Sequence, residues 1–268
     1  MNEKHIESLY DADKVGKWEK KKTMEHPSGV WGRKPMLKYL EEEIIEKGDT
    51  VVDLGSGSGH PSSEVAQTVG KEGHVIGVEL NKNQLGLNEN QTPVSKQYED
   101  IENLNFVNGD IKNIPLDSES ANKIVSFMVL HNLKSGDVKN AFIETQRILK
   151  DGGKAVFLTM HPDVFESDWE LDFMKYNPED LKKYKEAEDK EDVLLKGIVE
   201  NIGGEKKEVG MYHHTREKMD EATEEAGLKI IEEQDLYIDK ETAEEKYGEG
   251  SVKKAPNTPS FWIITLEK

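Results

Sequence analysis

The stretch Val51-Val52-Asp53-Leu54-Gly55-Ser56-Gly57-Ser58-Gly59, residues 51–59, decides the fold. Two β-branched residues, an acid and a leucine lead into three glycines on alternate positions, so an apolar strand runs into a turn almost free of side chains. Glycine tolerates positive φ and, lacking Cβ, lets a ligand approach the backbone. Beyond the turn, Val65, Ala66 and Val69 interleave with Ser63, Glu64 and Gln67, which reads as a helix. A helix N-terminus facing the carboxyl end of a strand is a ready nucleotide or carboxylate site. The spacing is G-x-G-x-G with an acid two residues ahead. It is neither the NAD fingerprint G-x-G-x-x-G nor a P-loop, and no Lys-Ser or Lys-Thr pair follows.

Outward from this turn, strands and helices alternate. Met36, Leu37, Leu40, Ile44 and Ile45 fall at helical spacing between Pro35 and Glu46, and Lys47-Gly48-Asp49 ends that helix ahead of a strand at Thr50 to Leu54. A second strand, His74 to Glu79, leaves an acid at its carboxyl end, and a helix through Leu85 and Leu87 is expected after it. Leu104 to Val107 is a third strand, followed by Asn108-Gly109-Asp110-Ile111. Lys123 to Val129 is a fourth. A helix from Val138 to Leu149 and the turn Lys150-Asp151-Gly152-Gly153-Lys154 precede a fifth, Ala155 to Met160. Apolar strands at this spacing predict a parallel sheet with helices on both faces.

Residues 163–212 break the rhythm. Phe165, Trp169, Phe173 and Tyr176 open the segment, Pro178 starts a Lys/Glu-rich helix reaching about Asp192, and Val193-Leu194-Leu195 begins another apolar patch. We read the segment as a helical insertion within a single domain spanning 1–268, because its own core is thin. Thr215 is a plausible N-cap for a helix from Arg216 to Ala226, with Gly227 as its stop. Lys229 to Ile238 and Ser260 to Leu266 are strands joined by a polar loop, which predicts an antiparallel pair.

Composition bounds the function. The net charge of −18 argues against a general affinity for nucleic acid or anionic membrane, since both need clustered Lys and Arg. The absence of cysteine removes disulfides, thiolate metal sites, cysteine nucleophiles and thiol-based arsenic methylation. No apolar run reaches the length of a membrane span, and Met1-Asn2-Glu3-Lys4-His5 has no secretory character, so a cytoplasmic protein is expected. Only Arg33, Arg147 and Arg216 are arginine.

Three features fall at carboxyl ends of successive strands: the glycine turn, Glu79 and Asp110. An open α/β sheet binds its ligand there, and a carboxylate after the second strand can accept from both hydroxyls of a ribose. The acid-glycine run closely resembles motif I of class I S-adenosylmethionine (SAM) dependent methyltransferases, and Asn108-Gly109-Asp110-Ile111 looks like that family's acid after strand three. The resemblance covers roughly residues 35–160 and 215–268. It implies a Rossmann-like, doubly wound, mostly parallel seven-stranded sheet with a C-terminal antiparallel hairpin, and SAM as cofactor. Gly55, Gly57 and Gly59, with Ser56 in the same turn, would let backbone approach the methionine part. Asp53 would orient the loop or accept from the amino group. Glu79 would hold the ribose, Leu80 would pack on the adenine, and Asp110 with Ile111 would read its edge. Phe127, Met128 and Val129 would line the floor near the sulfonium.

His131 follows the fourth strand and His161 the fifth, so both are expected to face the crevice, and both are candidate catalytic bases, as is His213 or His214. Pocket-shaping hydrogen bonds are the competing explanation. No metal site is expected, because no acid stands at ligand spacing from these histidines. Tyr10, Trp18 and Trp31 could close over the cofactor from an N-terminal cap segment, residues 1–34, or pack in the core. Segment 163–212 lies where similar enzymes place a substrate lid. The expected reaction is methyl transfer to a small-molecule acceptor by in-line displacement. A methyltransferase for RNA or protein, a SAM-binding protein without transferase activity, and an NAD-dependent oxidoreductase stay as alternatives. Ser126-Phe127-Met128-Val129 departs from the Asn/Asp-Pro-Pro-Tyr run of amino-group methyltransferases, which weakens the nucleobase reading.

Overall fold

The computed structural model describes residues 25–89, 91–166, 169–200, 204, 206–254 and 256–268. The main sheet contains β1 (Thr50–Leu54), β2 (His74–Glu79), β3 (Leu104–Asn108), β4 (Ala121–Phe127), β5 (Leu149–Met160), β10 (Lys229–Leu236) and β12 (Phe261–Glu267). Its order is β10-β12-β5-β4-β1-β2-β3. The second sheet contains β6 (Glu170–Leu171), β7 (Met174–Tyr176), β8 (Leu194–Glu200), β9 (Lys206–Tyr212) and β11 (Val252–Lys254), in the order β11-β6-β7-β8-β9.

β1 is the hub of the main sheet. It pairs in parallel with β2 on one side and β4 on the other. Val51, Val52, Asp53 and Leu54 are all buried, as a strand covered on both faces must be. The order reverses on either side of β1, so the carboxyl ends of β1 and β4 splay apart, and that splay is where an open sheet takes its ligand. At the far side β12 runs antiparallel to both β5 and β10, the expected reversed hairpin.

Each face of the sheet has its own core. A helical run, Gly29–Arg33, α1 (Lys34–Tyr39) and Leu40–Ile44, together with α2 (His60–Val69), packs Met36, Leu40, Val65 and Val69 over one face. The short α3 (Val94–Gln97) lies in the crossover from β2 to β3. Helices α4 (Ser135–Ile148) and α6 (Arg216–Glu225) pack Phe142, Ile148 and Met219 against Phe157 and Trp262 on the other. Thr215 caps α6 by accepting from the Lys218 amide, and Gly227 follows its end at φ +73°, as the sequence predicts.

Three expectations need correction. The segment after β2 is a series of turns with α3 near its end, not a helix through Leu85 and Leu87. Asn81 explains it, because its side chain accepts from the Asn83 amide and supports a local turn instead. The insertion is not helical. Among the described residues, α5 (Pro178–Glu186), capped by the Asn177 side chain, is the one helix there, and four of the five strands of the second sheet come from this segment. The polar loop between β10 and β12 holds α7 (Lys240–Tyr247) and β11, which completes the second sheet by pairing with β6.

Aromatic side chains tie the second sheet to α7 and to the helical run before α1. Phe173 stacks on Tyr247 at 4.1 Å and on Trp31 at 5.8 Å, and the Trp31 indole donates to Asp239 Oδ2 at 2.9 Å. Trp31 is therefore a core residue joining three segments. Tyr10 and Trp18 lie outside the described residues.

Candidate active site

A crevice of about 1140 Å³ opens along the carboxyl edge of the main sheet. Asp53, Gly55, Ser56, Gly57, Glu79 and Leu80 line one end of it, Asp110 and Ile111 stand beside them, and Met128 and His131 lie deeper. Of the residues singled out from the sequence as cofactor ligands, Gly59 alone is not in its wall.

The glycine turn is shaped from behind. The amides of Gly55 and Ser56 donate to the Val78 carbonyl at 2.8 and 3.1 Å, which closes the turn against β2. At Gly55, φ +76°, a Cβ would stand 2.4 Å from Val129 Cγ2. At Gly59, the N-cap of α2 with φ +81°, it would stand 2.4 Å from Phe106 Cζ. Gly57 differs, for space over its Cα is open. Gly55 and Gly59 thus serve packing of the turn, and Gly57 serves access to its backbone.

Two acids frame the turn, Asp53 buried and Glu79 half-buried. Glu79 Oε2 accepts from the Gly57 amide at 2.9 Å and Oε1 from the Asn81 amide at 2.8 Å. Burial pushes its carboxyl up, and these amides oppose the push. Each oxygen keeps a lone pair, so a vicinal diol still finds two acceptors. Asp53 Oδ2 accepts from the Ser62 hydroxyl at 2.5 Å, but its Oδ1 is buried with no hydrogen-bond partner. Burial pushes the Asp53 carboxyl up to about 7, with the Ser62 hydrogen bond opposing and Glu79 adding to the rise. An orphaned buried carboxylate oxygen on a crevice wall is a place for a cationic donor. Asp110 Oδ1 accepts from the Lys112 amide at 2.9 Å, which turns the chain after β3. Leu80 is 60% exposed, a large apolar side chain beside the crevice.

The floor carries a strained residue. Met128 follows β4 with φ +62°, a region that side chains other than glycine's rarely adopt, while its amide donates to the Leu158 carbonyl at 2.8 Å. Arg33, in the helical run before α1, also lines the crevice, and its guanidinium donates to Ser28 Oγ at 2.5 Å. Arg33 was not among the residues expected here. The available signal is the chain's bias to lysine: each of its three arginines has a specific seat, with Arg147 forked onto Glu144 and two carbonyls and Arg216 over the Trp262 ring.

The histidines separate. His131 lines the crevice, is buried, and has an Nδ1 with no hydrogen-bond partner. Burial, reinforced by His214 and Arg33, holds its imidazole down to about 3, so it stays neutral. His161 does not reach the crevice. Its Nε2 stands 3.1 Å from Asp235 Oδ1 and its Nδ1 accepts from the Asp163 amide at 3.0 Å. Both nitrogens are committed, and the ring braces the end of β5 to β10. The expectation that both histidines face one crevice is corrected, because Met160 at the end of β5 lines the crevice while the ring of the next residue, His161, is held on the other side against Asp235 and Trp262. His213 is likewise held, between the Pro162 and Lys190 carbonyls.

His214 belongs to a cluster the sequence pattern did not show. Its Nε2 faces the Leu130 carbonyl at 3.1 Å and its Nδ1 faces Glu191 Oε1 at 3.0 Å. Glu191, Asp192 and His214 bring ligand-type atoms within 4.8 Å of one another, so an acid does stand at ligand distance, contributed by a distant segment. Those atoms are already engaged. Glu191 Oε2 accepts from the Thr215 amide and Asp192 Oδ1 from the Ser135 amide, both at 2.8 Å, at the N-termini of α6 and α4. Burial pushes the Glu191 carboxyl up, but hydrogen bonds from His214, Ser135 and the Thr215 amide outweigh it and hold it at about 2. The cluster fastens the insertion to two helices of the main domain.

The chain is 36% identical over 126 residues to an arsenite methyltransferase of Halobacterium salinarum, covering 47% of this chain and 31% of that protein. It is 30% identical over 147 residues to a demethylmenaquinone methyltransferase of Staphylococcus carnosus, covering 54% of this chain and 56% of that one. The matched part thus spans about half or less of these curated relatives. In fold it resembles an S-adenosylmethionine dependent methyltransferase of Mesorhizobium loti, with a TM-score of 0.56, 17% identity and coverage of 87% of this chain and 96% of the other. A family model described as a methyltransferase domain matches residues 45–230, more than half of the chain, and the chain belongs to that family, with the Rossmann-like fold of the class I enzymes.

Proposed function

We propose that this protein is a SAM-dependent methyltransferase acting on a small-molecule acceptor, in a cytoplasmic setting. The observation that carries the reading is the pairing of Glu79 with the Gly57 amide beside the orphaned Asp53 Oδ1, all on one crevice. When bound there, SAM supplies a methyl group already activated by its sulfonium.

The chain's own residues then have defined work. Glu79 accepts from the ribose hydroxyls, and the open Gly57 backbone admits the methionine part. Asp53 Oδ1 takes the ammonium, and the Arg33 guanidinium takes the carboxylate. Leu80 covers the adenine, while Asp110 and Ile111 meet its edge. Holding both reactants in line contributes roughly 7–11 kcal/mol to lowering such a barrier. The floor residues Phe127, Met128 and Val129 set the depth of the methyl. The second sheet faces this crevice through Met174, Tyr176 and Met211, which supports a lid role for 163–212 and an enclosed acceptor rather than a polymer.

Thermal shift with SAM, S-adenosylhomocysteine and NAD tests the cofactor. A ligand at 100 times its dissociation constant stabilises by about 2.7 kcal/mol. SAM and S-adenosylhomocysteine are expected to raise the midpoint in the native protein, with the rise reduced in Asp110→Ala. A response to NAD alone overturns the reading. Labelled SAM offered with bulk RNA and with a metabolite extract tests the acceptor, and label confined to macromolecules overturns the small-molecule part.

A further inference from the structure

His214 stands behind the crevice wall, and its hydrogen bonds fix where its protons sit. Glu191 Oε2 accepts from the Thr215 amide at 2.8 Å and from the Thr215 hydroxyl at 3.1 Å, and Oε1 accepts from the Ser135 hydroxyl. Against the push of burial, the bonds to Glu191 hold its carboxyl at about 2, so it has no proton to give. His214 Nδ1, 3.0 Å from Oε1, is therefore the donor of that contact. On the other side of the ring, Nε2 faces the Leu130 carbonyl at 3.1 Å, and a carbonyl only accepts. The ring meets both partners only with a proton on each nitrogen. The pair is well shielded, with the His214 and Glu191 side chains 7% and 9% exposed, so this is a charge-assisted clamp in a poorly solvated place.

The clamp grips the turn that carries His131. Leu130–Asn132 is a single 3-10 turn after β4, in which the Asn132 amide donates to the Val129 carbonyl at 2.8 Å and the Leu133 amide donates to the Leu130 carbonyl at 2.9 Å. With His214 donating as well, both lone pairs of the Leu130 carbonyl are used. His131 has no comparable anchor of its own, since its Nδ1 is buried without a partner. The backbone turn therefore sets where its ring stands. A proton on that Nδ1 would be a buried donor with no acceptor. Burial foremost, then His214 behind the ring and Arg33 in the crevice wall, keep the ring neutral, and the wall acids Asp53 and Asp137 do not outweigh them. His161 and His213 line the small cavity on the far side of the His131 ring.

We propose that His214, seated on Glu191 of the insertion, is a positioning residue for methyl transfer: through the Leu130 carbonyl it holds the His131 ring in the crevice wall as a neutral neighbour of the sulfonium. The inference rests on the methyl-transfer reading above and assigns a further residue to the same site. Arg33 already brings one positive charge to this wall, and the cofactor brings another. An imidazolium at His131 would repel both, whereas a neutral ring adds a polar surface without a charge. The three residues come from three places: Glu191 from the insertion, His214 from the end of β9 and His131 from the end of β4. The insertion thus acts on the cofactor site from behind, through one carbonyl, as well as covering it.

The test uses the full chain with isotope-labelled histidine, the His131 and His214 signals being assigned in magnetic resonance spectra by single substitutions. S-adenosylhomocysteine is titrated first by calorimetry. If it does not bind, the cofactor reading fails, and the histidine signals of the protein alone still judge the clamp, so the two failures are told apart. At about pH 7, His214 is expected to carry a proton on both nitrogens and His131 on one. At about pH 4, wild-type His131 should be less than about a fifth protonated. His214→Gln removes the charge behind it and should raise its proton affinity about tenfold, to about half protonated or more at the same pH. With SAM in place of S-adenosylhomocysteine, that fraction should fall at least about twofold, an effect of the sulfonium charge that a purely structural role for His214 does not produce. Should His214→Gln fail to fold, the wild-type His214 signals decide the matter. A single proton on His214, an unaltered His131 titration in His214→Gln, or equal fractions with the two ligands overturns the proposal.

Discussion

The carboxyl edge of the seven-stranded sheet meets the crevice with backbone amides and acids, while the five-stranded sheet meets it with methionine, valine and tyrosine side chains. The first surface depends on positions: a Cβ at Gly55 collides with Val129, and a carboxylate anywhere but Glu79 misses the Gly57 amide. The second depends on character, because soft apolar side chains fill a volume that several sequences could fill. Recognition of a constant ligand and of an acceptor thus rest on different physics within one space.

Substitution at Gly55 gives the largest break in that contrast. Gly55→Ala forces a contact at 2.4 Å and a Cβ onto a positive φ. Overpacking of about 1–3 kcal/mol and left-handed strain of about 1–2 kcal/mol should together lower stability by several kcal/mol, read as the urea midpoint. Gly57→Ala carries the strain alone, so it should fold but lose the SAM-induced thermal shift. If Gly55→Ala is as mild as Gly57→Ala, the positional account of the turn is wrong.

Asp53 gives the next effect, in pH. Its carboxyl is held at about 7 in the fold, against 3.8 for an ordinary aspartate. Between those values the folded chain binds more protons than the unfolded one, so this group's contribution to stability declines as pH rises from about 4 to about 7. Asp53→Asn should flatten that decline in the ligand-free protein. A bound ammonium favours the carboxylate, so SAM affinity should climb by up to about tenfold per pH unit below about 7 and then level off. Calorimetry that finds the same slope in Asp53→Asn removes Asp53 from the site.

The smallest effect belongs to the second sheet. Met174→Leu conserves volume and should cost less than about 1.5 kcal/mol by urea unfolding, leaving S-adenosylhomocysteine affinity unaltered. A large loss would show that this surface is as positional as the first.

The same contrast governs what the sequence made legible. β1 and β2 run over Thr50–Leu54 and His74–Glu79, the bounds expected from their apolar runs, because strands buried on both faces leave a continuous signal. Asp53, Glu79, Asp110 and the glycines fall on the crevice or behind it for the same reason, that each is demanded at one place. The insertion was misread because Leu194 to Glu200 and Lys206 to Tyr212 alternate lysine, glutamate and glycine with apolar residues, and a Lys/Glu-rich helix sits just before them. Arg33 escaped because it reaches the site from a helix ahead of the matched motifs. His161 was misplaced since chain order puts it at a strand end but not on which side of that end its ring is held.

β12 has a further consequence. It is the twelfth strand in chain order yet lies inside the main sheet between β10 and β5, and β11 just ahead of it supplies an edge of the second sheet. A ribosome delivers the chain in order, so β5 and β10 cannot be bridged in the main sheet until residues 261–267 have emerged. Until then β5 presents an open edge to whatever strand is nearby. Biosynthesis of this protein therefore has a late commitment point, and chaperone dependence should track the arrival of Phe261–Glu267 rather than that of the glycine turn.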